Sequence, residues 1–262
     1  LQGDEFDLSF DFYLAYNFIQ PLIDGNLAPL NQQIELSYTL VPANQFATFL
    51  TNHDQNRVLS QLGGDPQKAM LAASLLLTAP GVPFLYYGEE IGMLGQKPDE
   101  QIRSPMQWST SPFAGFSTVS PWQPLNPNWI SFNVERATDD PASILSHYRD
   151  LILLRSKHPA LRVGDLSVLT TGNAALYAIL RHSQQESVLV LVNLSAVPVT
   201  SYALSTAQSS LAEGTYTPYP ILGEGEFTSL ATGANGSFSQ YVPLPEIPPY
   251  STFILQLQLD SP

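Results

Sequence analysis

Phe46-Ala47-Thr48-Phe49-Leu50-Thr51-Asn52-His53-Asp54 runs from an apolar stretch into a polar cluster. The apolar part, bounded by Asn44 and Asn52, reads as a β-strand. Asp65-Pro66 follows, an N-cap with proline at the first helical position. Met70, Leu71, Ser74, Leu75 and Leu77 continue as a helix until Pro80-Gly81 stops it. Val82-Pro83-Phe84-Leu85-Tyr86-Tyr87 then reads as a further strand, expected to be buried on both faces. Strand, helix and strand over 46–87 make a βαβ unit, so the two strands are expected to be parallel.

Working outward, Leu8-Ser9-Phe10-Asp11-Phe12 alternates with period two, as a strand does. Residues 14–23 suit a helix, with Pro21 as a complication. Residues 88–139 form a long proline-rich segment without clear periodicity, a length usually reserved for functional loops or disorder. Asp140-Pro141 repeats the cap signature, and Ile144, Leu145, Tyr148, Leu151 and Ile152 share one helical face that ends near His158-Pro159. Beyond residue 160 the helical patterns nearly vanish. Short strands between turns, clearest over 187–192 and 251–257, predict an antiparallel sandwich. Two regions are expected, 1–160 and 161–262.

The formal net charge of −13 speaks against nucleic acid or an anionic membrane surface as a partner, because both need a basic patch. With 44% hydrophobic and 13% charged residues the balance is that of a globular chain with a sizeable core. The absence of cysteine excludes disulfides, thiol chemistry and Cys-ligated zinc, and leaves the compartment undetermined. No apolar run is long enough to span a bilayer. The chain opens at Leu1-Gln2-Gly3 with neither initiator Met nor signal peptide, as expected of a cleaved product or a cut segment.

A strand-end Asp54 beside His53 is well placed to hydrogen-bond sugar hydroxyls; the same triplet serves equally as an Asx-turn or a helix cap. Its context narrows the choice. Asn52-His53-Asp54-Gln55-Asn56-Arg57, followed after the helix by Gly81-Val82-Pro83-Phe84-Leu85-Tyr86-Tyr87-Gly88-Glu89-Glu90-Ile91-Gly92-Met93, resembles the α-amylase family of glycoside hydrolases. Arg103-Ser104-Pro105-Met106-Gln107-Trp108 and Ala114-Gly115-Phe116-Ser117 resemble its loop after strand eight. Tyr148-Arg149-Asp150-Leu151-Ile152-Leu153-Leu154-Arg155 with His158-Pro159-Ala160-Leu161 resembles the last barrel helix and exit. Pro248-Pro249-Tyr250-Ser251-Thr252 looks like the entry to a final sandwich strand. The pattern is nearest to bacterial α-amylases and oligosaccharide α-glucosidases, and trehalose-forming isomerases share similar segments.

The resemblance implies an α/β plus all-β chain: the C-terminal part of a (β/α)₈ TIM barrel, about strands six to eight, then a β-sandwich. It implies a retaining hydrolase of α-linked glucans or maltooligosaccharides, with two carboxylates at the scissile bond. Asp54 matches a third carboxylate that stabilises the transition state. His53 matches its companion on the sugar, and Arg103 and Trp108 are candidate substrate contacts. Asn52, Arg57 and Glu89 are expected to support the site, Arg57 by positioning Asp54. The nucleophile and general-acid motifs do not occur here. Asp4, Glu5, Asp7 and Asp11 fall before or within the match to strand six and are not promoted to those roles. The isolated chain is therefore expected to be inactive, and to associate with the absent N-terminal half or with itself through an open barrel face.

Trp108, Trp122 and Trp129 all lie in the long segment, suited to stacking on sugar or to a small core of that segment's own. His147, His158 and His182 are scattered and suggest no metal set. No cofactor is expected on this segment; calcium, if present, belongs to the complete enzyme. Two other readings stay open: a noncatalytic carbohydrate-binding or transporter-associated relative, against which the retained Asn52-His53-Asp54 argues, and an isomerase or transglycosylase using the same site.

Overall fold

The computed structural model describes residues 6–42 and 44–260, so Asp4 and Glu5 lie outside the described residues. Strands β1 (Ser9–Phe10), β2 (Phe46–Phe49) and β3 (Val82–Phe84) form a parallel sheet with β2 in the middle. Ser9 pairs with Phe46, and Thr48 with Pro83. Both crossovers are helical, as parallel pairing requires. Helices α1 (Phe12–Asp24) and α2 (Ala28–Leu40) join β1 to β2, and α3 (Val58–Gln61) and α4 (Pro66–Thr78) join β2 to β3.

The local chemistry explains the boundaries. Asp65 caps α4 by accepting the Gln67 N–H at 2.9 Å, with Pro66 at the first helical position as expected. The strand expected over 8–12 stops at Phe10, because Asp11 turns to accept the Leu14 N–H at 2.8 Å and starts α1 instead. Pro21 sits inside α1 without ending it, and the helix closes at Gly25, whose φ is 74°. β3 is shorter and barer than expected: only Val82–Phe84 pair, and Phe84, Leu85 and Tyr87 are exposed. Among the described residues no strand pairs with β3 on its far side.

Residues 88–133 contain α5 (Asp99–Ile102) and two 3₁₀ turns but are otherwise irregular. Amide side chains, all but Asn128 buried, stitch them together. Gln107 donates to the Phe132 carbonyl, Gln123 to Glu100 and Asn126 to Leu94. Asn128 donates to Gly92 at 2.8 Å, and Asn133 to Trp129 at 2.9 Å. Each satisfies a backbone carbonyl that no helix or sheet serves. Asn133 also caps α6 (Val134–Thr138).

Helix α7 (Ile144–Lys157) does not begin at Asp140-Pro141. Asp140 makes a local turn by accepting the Ala142 N–H at 2.9 Å, which leaves Ser143 to cap the helix through the Ser146 N–H at 3.1 Å. α8 (Pro159–Val163) follows directly.

The remainder is antiparallel. β4 (Asp165–Val168), β5 (Leu176–His182), β6 (Ser187–Asn193), β8 (Gly214–Leu222), β9 (Leu230–Thr232) and β11 (Thr252–Leu259) form a six-stranded sheet in the order β4-β5-β6-β11-β8-β9. β7 (Leu204–Thr206) pairs with β10 (Phe238–Tyr241). The large sheet is covered on both faces. Tyr177, Ile179, Val188, Val190 and Val192 join one core with α1, α4 and α7. Leu176, Ala178, Leu180, Leu189 and Leu191 join a second core with Leu204, Phe238 and Tyr241. Strand alternation thus divides β5 and β6 between two cores.

Two buried arginines meet the C-terminal end of α4, and one of them, Arg181, ties the antiparallel sheet to it. Arg155 donates to the carbonyls of Leu77 (2.8 Å), Ala79 (2.9 Å) and Gly81 (2.5 Å). Arg181, from β5, donates to Thr78 (2.8 Å) and Gly164 (2.9 Å). A helix ends in carbonyls without intrahelical partners, and a cation there also meets the negative end of the helix dipole.

Candidate functional site

β2 lies between its two neighbours and all four of its residues are buried, so its C-terminal tip emerges at the centre of the sheet. Thr51 stays buried and Asn52 half-buried, while His53 and Asp54 emerge. The Asp54 N–H donates to Asn52 Oδ1 at 2.9 Å. This is the Asx-turn that the triplet allowed, and it leaves the Asp54 side chain 61% exposed. Turn and site are thus compatible: the bend presents the carboxylate.

Arg103 reaches that carboxylate from the end of α5. Its Nη2 lies 2.9 Å from Asp54 Oδ1 and 2.7 Å from Asp99 Oδ2, and its Nε donates to the His53 carbonyl at 2.9 Å. His53 Nε2 is 3.5 Å from the other oxygen, Asp54 Oδ2. Ion pairs this exposed contribute about 1 kcal/mol or less to stability. Their consequence is orientation: one carboxylate oxygen is engaged, and the other faces outward beside an imidazole.

Beneath this layer lies a buried one. Arg57 does not meet Asp54. Its Nη1 donates to the Tyr87 carbonyl at 2.6 Å, and its guanidinium lies 4.7 Å from the ring centres of both Tyr86 and Tyr87. Burial pulls its pKa down, while the neighbouring tyrosines and Glu89 and Glu90 oppose that. The side chain supports the loop from below, and Arg103 takes the grip on Asp54 that was expected of Arg57.

Glu89 is also buried and accepts a hydrogen bond from Thr51 Oγ1 at 3.2 Å, three residues before Asp54. Burial pushes its pKa up to about 8; the Thr51 bond opposes the rise and Glu90 adds to it. Its second oxygen has no hydrogen-bond partner among the described residues. Between its ordinary 4.5 and about 8 the folded protein keeps a proton that the unfolded chain releases. The neutral carboxyl's stability is therefore full below that window and is lost as pH rises through it. Glu89→Gln should melt like the parent at pH ~5. At pH ~8.5 it should be the more stable by a few kcal/mol. Parallel melting curves for parent and variant across that range would refute the assignment.

Trp108, half exposed, lines a cavity of 840 Å³ with Arg103, and Asp54 is not among that cavity's walls. Among the described residues, no group of three or more His, Asp or Glu side chains is placed to hold a metal ion, and no helix is long and apolar enough to cross a membrane.

A model of the alpha-amylase catalytic domain matches residues 11–164. The chain belongs to the alpha-amylase family. Alpha-amylase 3 of Dictyoglomus thermophilum is 40% identical over 153 residues, covering 58% of this chain and 30% of the relative. An oligo-1,6-glucosidase of Parageobacillus thermoglucosidasius is 31% identical over 188 residues, covering 56% of this chain and 34% of the relative. The crystal structure of the alpha-amylase from H.orenii superposes with a TM-score of 0.73 at 34% identity, covering 97% of this chain and 49% of that one. This alpha-amylase family chain thus spans a third to a half of the length of these relatives.

Within this alpha-amylase family chain, Asn52, His53, Asp54 and Arg103 come together, and Arg57 and Glu89 form the layer below. Sequence reasoning missed Asp99, the second carboxylate on Arg103. The signal was there: Asp99 precedes Arg103 by four residues, the spacing of a helical ion pair.

Proposed function

We propose that the chain is the C-terminal part of a retaining glycoside hydrolase acting on α-linked glucans or maltooligosaccharides. In this reading β1, β2 and β3 are strands six, seven and eight of a (β/α)₈ barrel. Residues 1–160 are the barrel part and 161–262 a β-sandwich domain. The observation that carries it is the exposed Asp54 carboxylate at the C-terminal tip of the central parallel strand, the end at which barrel enzymes hold substrate.

Asp54 is not the nucleophile in this reading. In a retaining mechanism one carboxylate attacks the anomeric carbon as the leaving oxygen takes a proton from a second, through a transition state resembling an oxocarbenium ion. Both groups come from polypeptide outside these residues. Asp54, held by Arg103 at one oxygen, accepts sugar hydroxyls at the other, beside His53. Its negative charge is felt most when the ring is most cationic, so it favours the transition state over the bound sugar. Arg103 and Trp108 contact substrate, and Asn52, Arg57 and Glu89 keep the loop in place. No cofactor is assigned to this segment.

Three strands cannot close a barrel. Phe10, Phe12 and Phe84 form an exposed aromatic face, with Phe10 packed edge-on to Phe49 and Phe84 and Phe12 edge-on to Phe49. We assign that face to the complementary N-terminal half, or failing it to a second copy of the chain. The purified chain should show no turnover of a chromogenic α-glucoside, and adding the N-terminal half of such an enzyme should restore it. Turnover by the chain alone, or a compact monomer that ignores the added half, would overturn the proposal. Trehalose formed from maltose by the assembled protein, in place of glucose release, would mark it as an isomerase.

A further inference from the structure

Arg103 sits on a fixed stretch of backbone. On either side of it, the Tyr86 hydroxyl donates to the Ile102 carbonyl at 3.1 Å and the Tyr87 hydroxyl to the Ser104 carbonyl at 2.7 Å. The same two rings clasp the buried guanidinium of Arg57. The loop that leads into α5 is docked as well. The Arg57 N–H donates to the Gly95 carbonyl at 2.9 Å, and the Lys97 N–H to Asn56 Oδ1 at 2.7 Å. With the main chain held, the direction of the Arg103 side chain is decided by the groups its guanidinium meets.

Nε donates to the His53 carbonyl, and Nη2 is divided between Asp54 Oδ1 and Asp99 Oδ2. Asp99 is held in turn at its other oxygen by Lys97 Nζ. That bond first, and the charge of Arg103 after it, hold the Asp99 carboxyl below the usual carboxylate range. Charges thus alternate along Lys97, Asp99, Arg103 and Asp54. A guanidinium facing a single carboxylate commonly takes it with two parallel N–H···O bonds, one to each oxygen. Arg103 takes only Oδ1 of Asp54. Asp99 competes for the same nitrogen from a shorter distance, 2.7 Å against 2.9 Å, and the fork does not close.

We propose that Asp99 is a positioning residue: by sharing Nη2 it confines Arg103 to one oxygen of Asp54 and keeps Oδ2, the oxygen beside His53, open to the sugar. Asp99 touches no substrate itself. The inference rests on the reading of Asp54 as the sugar-facing carboxylate, and adds to it what controls how much of that charge Arg103 cancels. Without Asp99 the guanidinium closes on both oxygens. The sugar then loses its acceptor, and the developing cation meets a carboxylate already neutralised.

Two measurements test this. In a crystal structure of the Asp99→Ala chain, Arg103 should lie within hydrogen-bonding distance of both Asp54 oxygens. An Arg103 still on Oδ1 alone would overturn the proposal. In the enzyme assembled with its N-terminal half, Asp99→Ala should lower kcat about tenfold and change KM by less than about twofold. Asp99→Glu keeps a carboxylate four residues before Arg103 and should recover most of the loss. The melting temperature should stay at the parent's, since ion pairs this exposed add little to stability. A double-mutant cycle separates positioning from a general loosening of the loop. In the Asp54→Asn background there is no second carboxylate oxygen to cover, so Asp99→Ala should cost nothing further. An equal loss in both backgrounds, or parental kcat in Asp99→Ala, would sink the proposal. The two readings fail separately. Full turnover by assembled Asp54→Asn would sink the role of Asp54, while the crystal structure still decides whether Asp99 governs the grip of Arg103.

Discussion

Asp54→Asn should lower kcat of the enzyme assembled from this chain and its N-terminal complement by about a thousandfold, with a much smaller change in KM. The substitution keeps the shape of the side chain. It also keeps the Asx-turn, because that bond runs from the backbone N–H of residue 54 to Asn52 Oδ1. What disappears is the charge. Arg103 retains Asp99 at 2.7 Å and the His53 carbonyl at 2.9 Å, so the guanidinium stays where it is. The ground-state sugar is neutral and loses a hydrogen-bond acceptor of full charge; the transition state loses the counter-charge to a developing cation. The second loss is the larger, and it falls on kcat. A raised KM with kcat untouched would mean that Asp54 holds sugar equally at both stages, and the proposed role would fail.

Arg155→Met is the corresponding prediction for stability, a loss of about 3 kcal/mol and a melting temperature lower by about 10 °C. Arg155 is buried without a carboxylate partner among the described residues, and burial, aided by the nearby Arg181, brings its pKa down to about 9. Removing a poorly solvated charge is by itself favourable, and methionine fills much of the volume. The decisive term is on the acceptor side. The carbonyls of Leu77, Ala79 and Gly81 lose their donor inside the core, and an unmet buried acceptor costs about 1–3 kcal/mol. Urea titration measures the difference directly; a midpoint equal to the parent's would show that water or another donor takes over the end of α4.

Much of the parallel unit was legible because its signals are local. Asp65-Pro66 marks the start of α4 by cap chemistry, and the polar cluster after Leu50 marks the tip of β2. α2 went unread although Leu30 and Ile34 sit one turn apart on its buried side, because that side is narrow and the rest of the helix is polar. The roles of Arg155 and Arg181 could not be read at all. Arg155 reaches carbonyls 74 to 78 residues away and Arg181 one 103 residues away, and no window on the sequence links them. The exposure of Phe84 and Tyr87 had the opposite cause: the residues look like core, yet no strand among the described residues follows β3 to cover them. At the site, Asn52, His53, Asp54 and Arg103 were found through a family pattern. Asp99 needed only the spacing of four, and the inward turn of Arg57 needed the coordinates.

The central strands of the antiparallel sheet have no solvent side. Tyr177, Ile179, Val188 and Val190 rest on the same helices that carry the parallel sheet, while Leu176, Leu180 and Leu191 face the opposite way into the second core. A unit attached by a linker can be exchanged for another by recombination with little penalty. This one cannot, because a replacement would have to match the surfaces of α4 and α7 residue for residue. A graft of residues 165–260 onto a foreign set of helices should therefore leave both partners with a bare hydrophobic flank.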